Sequence, residues 1–243
     1  CQSFALITDE QTHQKMACGD SKAAARIALL DPALTLSQPA RVTACSGIDA
    51  LAHALETLVT KPRTPLSLIF SREAFRLLIA GLPRVLASPA DLEARSWMLV
   101  GAAWAGTAIE NSMLGAAHAA ANPLTAHFGV AHGHAVGMML PHVLRFNAQE
   151  PVVASAYAEI AWAAQLASPS EAPEAAAEHL ARRIELLLDL AGLPCALDHC
   201  GAKPEDIPRL ADEAARQWTA QFNPRPVTAL NFRDLYTAAL TPA

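Results

Sequence analysis

Apolar residues recur at intervals of three and four along most of the chain after residue 36, the spacing of helices that bury one face. Four segments show this spacing most clearly: 73–86, 91–110, 150–167 and 174–192. Proline and serine interrupt the pattern at 61–65, 88–89, 168–173 and 192–194. The sequence therefore predicts a bundle of helices separated by short breaks.

The first part of the chain has a different pattern. Two short apolar runs at residues 3–9 (SFALITD) and 25–32 (ARIALLDP) are typical of strands, with a polar turn around Gly19 and Asp20 between them. Two strands cannot bury themselves, and their edges invite pairing with another chain. We expect a mainly α fold with a short N-terminal β segment, and we expect the chain to form a homo-oligomer.

Composition narrows the class of protein. The 243 residues are 52% hydrophobic and 17% charged, which is enough apolar material for a large core. The net charge of −5 and the lack of a Lys/Arg cluster argue against nucleic acid or an anionic membrane as a partner. Five cysteines without a Cys-x-x-Cys pair argue against a disulfide framework or zinc ribbon, so we expect a cytoplasmic protein that acts on a small molecule.

A long uncharged segment carries most of the histidines. Residues 111–144 contain no Asp, Glu, Lys or Arg, although five of the nine histidines lie there: His118, His127, His132, His134 and His142. Neutral imidazoles in apolar surroundings need partners, and a metal ion is the obvious candidate.

A candidate pair of metal ligands precedes this segment. Asp49 and His53 are four residues apart in an apolar helical pattern, so both side chains project from one helix face. The pair can equally be an ordinary capping or ion-pair arrangement, and Glu56 on the same face can be a solvated end of the stripe. One carboxylate with two or three imidazoles and no thiolate suits Fe(II), Zn(II), Ni(II) or Co(II) better than Ca(II) or Mg(II).

Four motifs resemble the iron-containing (group III) alcohol dehydrogenases, in particular their C-terminal metal domain: GIDALAHALE, GAAHAAANPL, GVAHGHAVGMMLPHVLRFN and FNPRP. The resemblance implies an all-helical, dehydroquinate synthase-like domain at residues 37–243. It implies four metal ligands, Asp49, His53, His118 and His132, and Fe(II) as the metal, with Zn(II) or Ni(II) as alternatives. It further implies NAD or NADP as cofactor and an alcohol or aldehyde as substrate.

The chain departs from the family pattern at one position. The second motif usually reads His-x-x-x-His, and its second histidine can relay a proton near the nicotinamide. Asn122 occupies that position here, and an amide cannot titrate near neutral pH. We therefore weigh Asn122 and His127 as candidate catalytic residues, with His127 as a possible replacement relay. His134 and His142 are expected to pack near the site or cap a helix end.

The resemblance also implies that residues 1–36 are residual strands of a Rossmann-like cofactor domain. No Gly-x-Gly-x-x-Gly run occurs in the chain, so no cofactor-binding residue is assigned, and we expect the chain to be a partial protein with little dehydrogenase activity. Three functions stay open. They are the metal half of an NAD(P)-dependent alcohol dehydrogenase, a metal-dependent enzyme similar to glycerol dehydrogenase or dehydroquinate synthase, and an inactive binding remnant.

Overall fold

The fold is described from a computed structural model, in which the described residues are 3–8, 15–20, 22 and 24–241. The elements, in chain order, are β1 (Phe4–Thr8), β2 (Lys15–Gly19), α1 (Ala40–Val59), α2 (Pro65–Ala87), α3 (Leu92–Glu110), α4 (Ala116–Phe128), α5 (His132–Asn147), α6 (Pro151–Ala163), α7 (Pro173–Leu190), α8 (Ile207–Ala215) and α9 (Ala229–Leu240). Short 3-10 helices lie at Pro32–Thr35, Leu197–Cys200, Pro204–Asp206 and Trp218–Phe222. The mainly α prediction is confirmed.

The predicted helices begin and end where local chemistry favours it. Thr64 and Ser67 form a capping box at the start of α2, and Asp91 accepts a hydrogen bond from the Ala94 N–H at the start of α3. The helix predicted over 150–167 ends earlier, at Ala163, because the chain turns with a positive φ at Gln165. The Pro and Ser breaks all fall between helices, as predicted.

The second predicted strand is wrong. The partner of β1 is β2, which pairs antiparallel with Phe4 opposite Gly19, in the region predicted as a polar turn. Residues 25–31 form no strand, and their apolar side chains are exposed, with Ile27 at 80% and Leu29 at 90%. The physical reason is that a strand requires a hydrogen-bonding partner, which this run does not have among the described residues.

The helical bundle is built around α1, whose residues Ile48, Leu51 and Leu55 are completely buried. Helix α1 packs against α2 and α3 on one side and α5 on the other, while α4 packs against α5 and α8. Helix α5 therefore lies against both α1 and α4. The helices begin at Ala40, close to the predicted boundary at residue 37, and the assignment of residues 1–36 to a separate domain stays a prediction. No helix among the described residues combines the length and hydropathy needed to cross a lipid bilayer.

Candidate metal centre

Helix α1 contributes the first half of the site. Asp49 and His53 lie one turn apart on the same face, and Asp49 Oδ1 is 3.6 Å from His53 Nε2. Both side chains are 23% exposed, so they lie at the edge of the core rather than on the open surface. The i,i+4 spacing therefore produces the shared face that the sequence predicts.

Helices α4 and α5 bring the other two histidines to the same carboxylate. His118 Nε2 lies 3.3 Å from Asp49 Oδ1, and His132 Nε2 lies 3.9 Å from the same oxygen. The His118 ring stacks on the His53 ring with centroids 4.8 Å apart and is tilted against the His132 ring at 5.4 Å. Three of the predicted ligand residues, Asp49, His118 and His132, thus share one cluster of donor atoms, and His53 adjoins it through Asp49 and the His118 ring.

A tight turn makes this convergence possible. Helix α4 ends at Phe128, and the next residue, Gly129, has a φ of 64°, the left-handed conformation that glycine adopts without strain. Only Val130 and Ala131 then separate it from α5, which begins at His132. The short connection turns the chain back, so that the first residue of α5 meets the face of α1 that carries Asp49.

The distances match the geometry of a metal site. Ligand atoms at about 2.1 Å from a tetrahedral ion lie about 3.4 Å from one another, close to the separations around Asp49 Oδ1. One donor atom each from Asp49, His118 and His132 lies within 4.8 Å of the others. Asp49 Oδ1 and His118 Nε2 are buried, and neither makes a well-formed hydrogen bond. Buried polar atoms of this kind need a partner, and a divalent ion fits both.

The charges of the site are strongly coupled. Burial raises the pKa of the Asp49 carboxyl, but the imidazoles of His53, His118 and His132 outweigh it and hold this pKa far below its usual range. Burial lowers the pKa of His118, but the carboxylates of Glu56 and Asp49 outweigh burial and raise this pKa to about 9. The Glu56 and Asp49 carboxylates on either side of His118 therefore both favour the protonated form of its imidazole.

Glu56 is a site residue whose role the sequence left open. It is only 3% exposed, which excludes the alternative that it is a solvated helix end. Its Oε2 lies 2.6 Å from His118 Nδ1, and its Oε1 accepts a hydrogen bond of 2.7 Å from the Ala117 N–H. The sequence feature that indicates a place in the site is the position of Glu56 on α1, three residues after His53 and on the same helix face.

The two candidate catalytic residues have other partners. The Asn122 side chain lies one helical turn after His118 and donates a hydrogen bond of 3.0 Å to Gln217. His127 Nε2 lies 2.8 Å from the Glu213 carboxylate of α8. Nine residues of α4 place its Cα about 13 Å along the helix axis from that of His118, so the structure does not bring His127 into the cluster. The catalytic roles of both residues stay predictions.

The remaining histidines of the uncharged segment lie on α5. His134 Nε2 is 2.7 Å from the Pro194 carbonyl oxygen, which joins α5 to the segment that follows α7. His142 is enclosed further along the helix, where burial lowers its pKa to about 4, assisted by the nearby Arg145. His134 packs against the segment beside the site. His142 lies ten residues after His132, about 15 Å along the helix axis, and five residues before the end of α5, so it does not occupy the place expected for it.

An open pocket of about 450 Å³ lies beside the cluster. Its lining includes Asp49 and His132, together with Arg41 and Cys45 of α1 and Gly133 of α5. The two ligand candidates therefore face a space large enough for a small organic molecule. This arrangement suits a metal ion that is reached by a substrate from one side only.

The fold agrees with the comparisons to known proteins. The profile of the Fe-containing alcohol dehydrogenase family, C-terminal, matches residues 43–240, and the chain belongs to this family. It is 32% identical over 238 residues to the NAD-dependent methanol dehydrogenase of Bacillus methanolicus, covering 98% of this chain and 62% of that protein. It is 33% identical to 1-propanol dehydrogenase PduQ of Citrobacter freundii, covering 86% of this chain and 58% of that protein.

A solved structure shows the same architecture. The crystal structure of a 1,3-propanediol oxidoreductase superposes with a TM-score of 0.92 at 29% identity, covering 98% of this chain and 62% of that one. The chain thus spans about three fifths of the length of the relatives it matches. The resemblance read from the four motifs is confirmed.

Proposed function

We propose that the chain is the metal-binding half of an NAD(P)-dependent alcohol dehydrogenase that interconverts an alcohol and an aldehyde or ketone. The observation that carries the proposal is the convergence of three imidazole Nε2 atoms within 3.9 Å of Asp49 Oδ1, beside an open pocket. Family membership supports the reaction class, since the relatives include methanol and 1-propanol dehydrogenases. NAD(P) dependence is proposed for the enzyme as a whole, and metal binding for residues 1–243.

The donor set fits a divalent transition metal. Asp49, His53, His118 and His132 would hold the ion, with Fe(II) proposed and Zn(II) or Ni(II) as alternatives, because imidazole and a single carboxylate suit these metals. When bound, the ion supplies a Lewis acid that polarises the substrate oxygen during hydride transfer. Asp49 would bring one negative charge to a divalent ion, so the ion and its four ligands together would keep one positive charge toward an alcohol oxygen.

The protein residues around the ion bind and orient the substrate. The pocket lined by Cys45 and Gly133 admits a small molecule to one side of the cluster, while the buried side of His118 excludes water. Asn122 can donate or accept a hydrogen bond but cannot transfer a proton near neutral pH. We therefore propose that proton exchange with solvent does not pass through the position of Asn122.

Cobalt substitution tests the proposal on the chain itself. Metal-free protein titrated with Co²⁺ is expected to bind one ion per chain and to develop the visible absorption of a cobalt site with nitrogen and oxygen ligands. Adding 1-propanol is expected to change that spectrum, because the pocket gives the alcohol access to the ion. A chain that binds no Co²⁺ contradicts the metal site, and a bound spectrum that 1-propanol leaves unchanged contradicts the substrate assignment.

Metal binding is also expected to release protons. Because its pKa of about 9 keeps His118 protonated at pH 7.5, and a ligand imidazole must be neutral, binding should displace about one proton from this residue. The apparent affinity for Zn²⁺ should then rise about tenfold per pH unit until the pH reaches the His118 pKa. Titration calorimetry at pH 7.5 in two buffers of different ionisation enthalpy measures the protons released. A value of zero contradicts the prediction.

A further inference from the structure

The carboxylate of Glu56 lies directly behind His118, on the side away from Asp49. Its two oxygens have separate partners, since Oε2 faces His118 Nδ1 at 2.6 Å and Oε1 accepts from the Ala117 N–H at 2.7 Å. Among the described residues, the one ion pair that Glu56 forms is with His118. The side chain is 4% exposed, so this contact is shielded from solvent.

We propose that Glu56 is a positioning residue that orients His118 for metal binding, an inference that rests on the proposed function. An imidazole can offer one nitrogen to a metal ion only when the other nitrogen carries the proton. A carboxylate at Nδ1 holds the proton there and leaves the lone pair on Nε2, the atom that lies 3.3 Å from Asp49 Oδ1. It also fixes the plane of the ring and increases the basicity of the ligand.

The carboxylate itself is fixed by the start of α4. The Ala117 N–H belongs to the first turn of that helix, where exposed N–H groups and the helix dipole favour negative charge. The Asn223 side chain holds the same turn, since its Oδ1 accepts from the Ala116 N–H at 3.3 Å and from Asn147 at 3.1 Å. Glu56 therefore binds the backbone and the side chain of one turn, which couples the orientation of His118 to the position of α1.

Glycine at position 115 keeps this contact close. A Cβ at Gly115 would lie 3.2 Å from Glu56 Oε1 and 3.0 Å from Asn223 Oδ1. Both distances are tighter than ordinary contacts, so a larger residue would push the polar groups away from the helix start. The FNPRP motif, which supplies Asn223, therefore holds the turn that carries His118.

Substitution of Glu56 by glutamine tests the positioning role of the carboxylate while keeping the size of the side chain. Glutamine has nearly the same shape, but it keeps an oxygen at only one of the two positions that Oε1 and Oε2 occupy, so the Ala117 N–H and His118 Nδ1 cannot both keep their acceptor. If the amide NH₂ faces His118, the ring must accept at Nδ1 and carry its proton on Nε2, where it blocks ligation. We expect Glu56→Gln to weaken Zn²⁺ binding by about 10- to 100-fold, measured by competition with a chelating dye.

A matched control is Tyr236 of α9, which is completely buried and donates a hydrogen bond of 2.7 Å to the Ala120 carbonyl oxygen of α4. Tyr236→Phe removes a buried polar group that packs against the same helix as His118 and is expected to leave Zn²⁺ affinity within about twofold of the unmodified chain, since the ligands keep their partners. An equal loss in Tyr236→Phe and Glu56→Gln would show a general packing effect and overturn the inference.

A double-mutant cycle tests whether Glu56 acts through His118. In a His118→Ala background, Glu56→Gln is expected to cause no further loss of Zn²⁺ affinity. In a His132→Ala background, Glu56→Gln is expected to weaken Zn²⁺ binding by the same further factor as in the unmodified chain. Equal further losses in the two backgrounds overturn the inference. If Glu56→Gln fails to fold by circular dichroism, Glu56→Asp carries the test, because its shorter carboxylate retreats from His118 and must also weaken binding.

The outcomes distinguish the two proposals. If the unmodified chain binds no Zn²⁺, the proposed function fails. If the unmodified chain binds Zn²⁺ and Glu56→Gln binds it equally well, the metal site stands and the role of Glu56 is overturned.

Discussion

Replacing His118 or His132 with alanine is expected to remove the bound metal from the purified protein and to leave only a weak, still measurable affinity for Zn²⁺. Each change removes one of the nitrogen atoms that lie within 3.9 Å of Asp49 Oδ1, and three remaining donors leave the ion incompletely coordinated. The loss should exceed the roughly 10- to 100-fold that removal of an outer partner costs, because a direct ligand is lost. Elemental analysis of the purified variants, followed by titration with Zn²⁺, measures the effect.

The matched control is His179→Ala. His179 lies on α7, where its Nε2 pairs with the Glu171 carboxylate at 2.9 Å and its side chain is 47% exposed. This variant is expected to bind metal like the unmodified chain. Equal loss in all three alanine variants would indicate unfolding rather than removal of a ligand, and circular dichroism of the metal-free proteins identifies that case.

Gly133→Ala is expected to have the second large effect, although glycine supplies no ligand. A Cβ at this position would lie 2.0 Å from the carbonyl oxygen of Cys45 and 3.0 Å from Asp49 Cβ. Because the first obstacle is the backbone of α1, helix α5 must move away from α1, which separates His132 from Asp49. We expect loss of Zn²⁺ binding and destabilisation by at least about 1–3 kcal/mol.

Gly137→Ala is the control on the same helix. Its Cβ would lie 2.7 Å from Ile48 Cγ2 and 2.9 Å from Leu188 Cδ2, which are side-chain atoms rather than the backbone of α1. This variant should lower the melting temperature of the protein but keep its affinity for Zn²⁺. The explanation for Gly133 is wrong if its alanine variant binds Zn²⁺ normally, or if both glycine variants lose the metal to the same extent.

Local physical rules account for most of the helical fold. Apolar spacing and proline breaks predict α2, α3, α6 and α7 because a helix is built from contacts three and four residues apart. Strand pairing has no such local rule. The run ARIALLDP has the composition of a strand and forms none, whereas KMACG pairs with β1. Composition describes what a segment tolerates, and only an available partner makes it a strand.

The same distinction between local and long-range contacts applies to the candidate site. The pair Asp49 and His53 was visible in the sequence because one helical turn joins them, and motif resemblance added His118 and His132. The function of Glu56 was not visible, because its partners lie on α4, some 60 residues further along the chain. Contacts between distant segments depend on how α1, α4 and α5 pack, and that packing is a property of the whole core rather than of any local pattern.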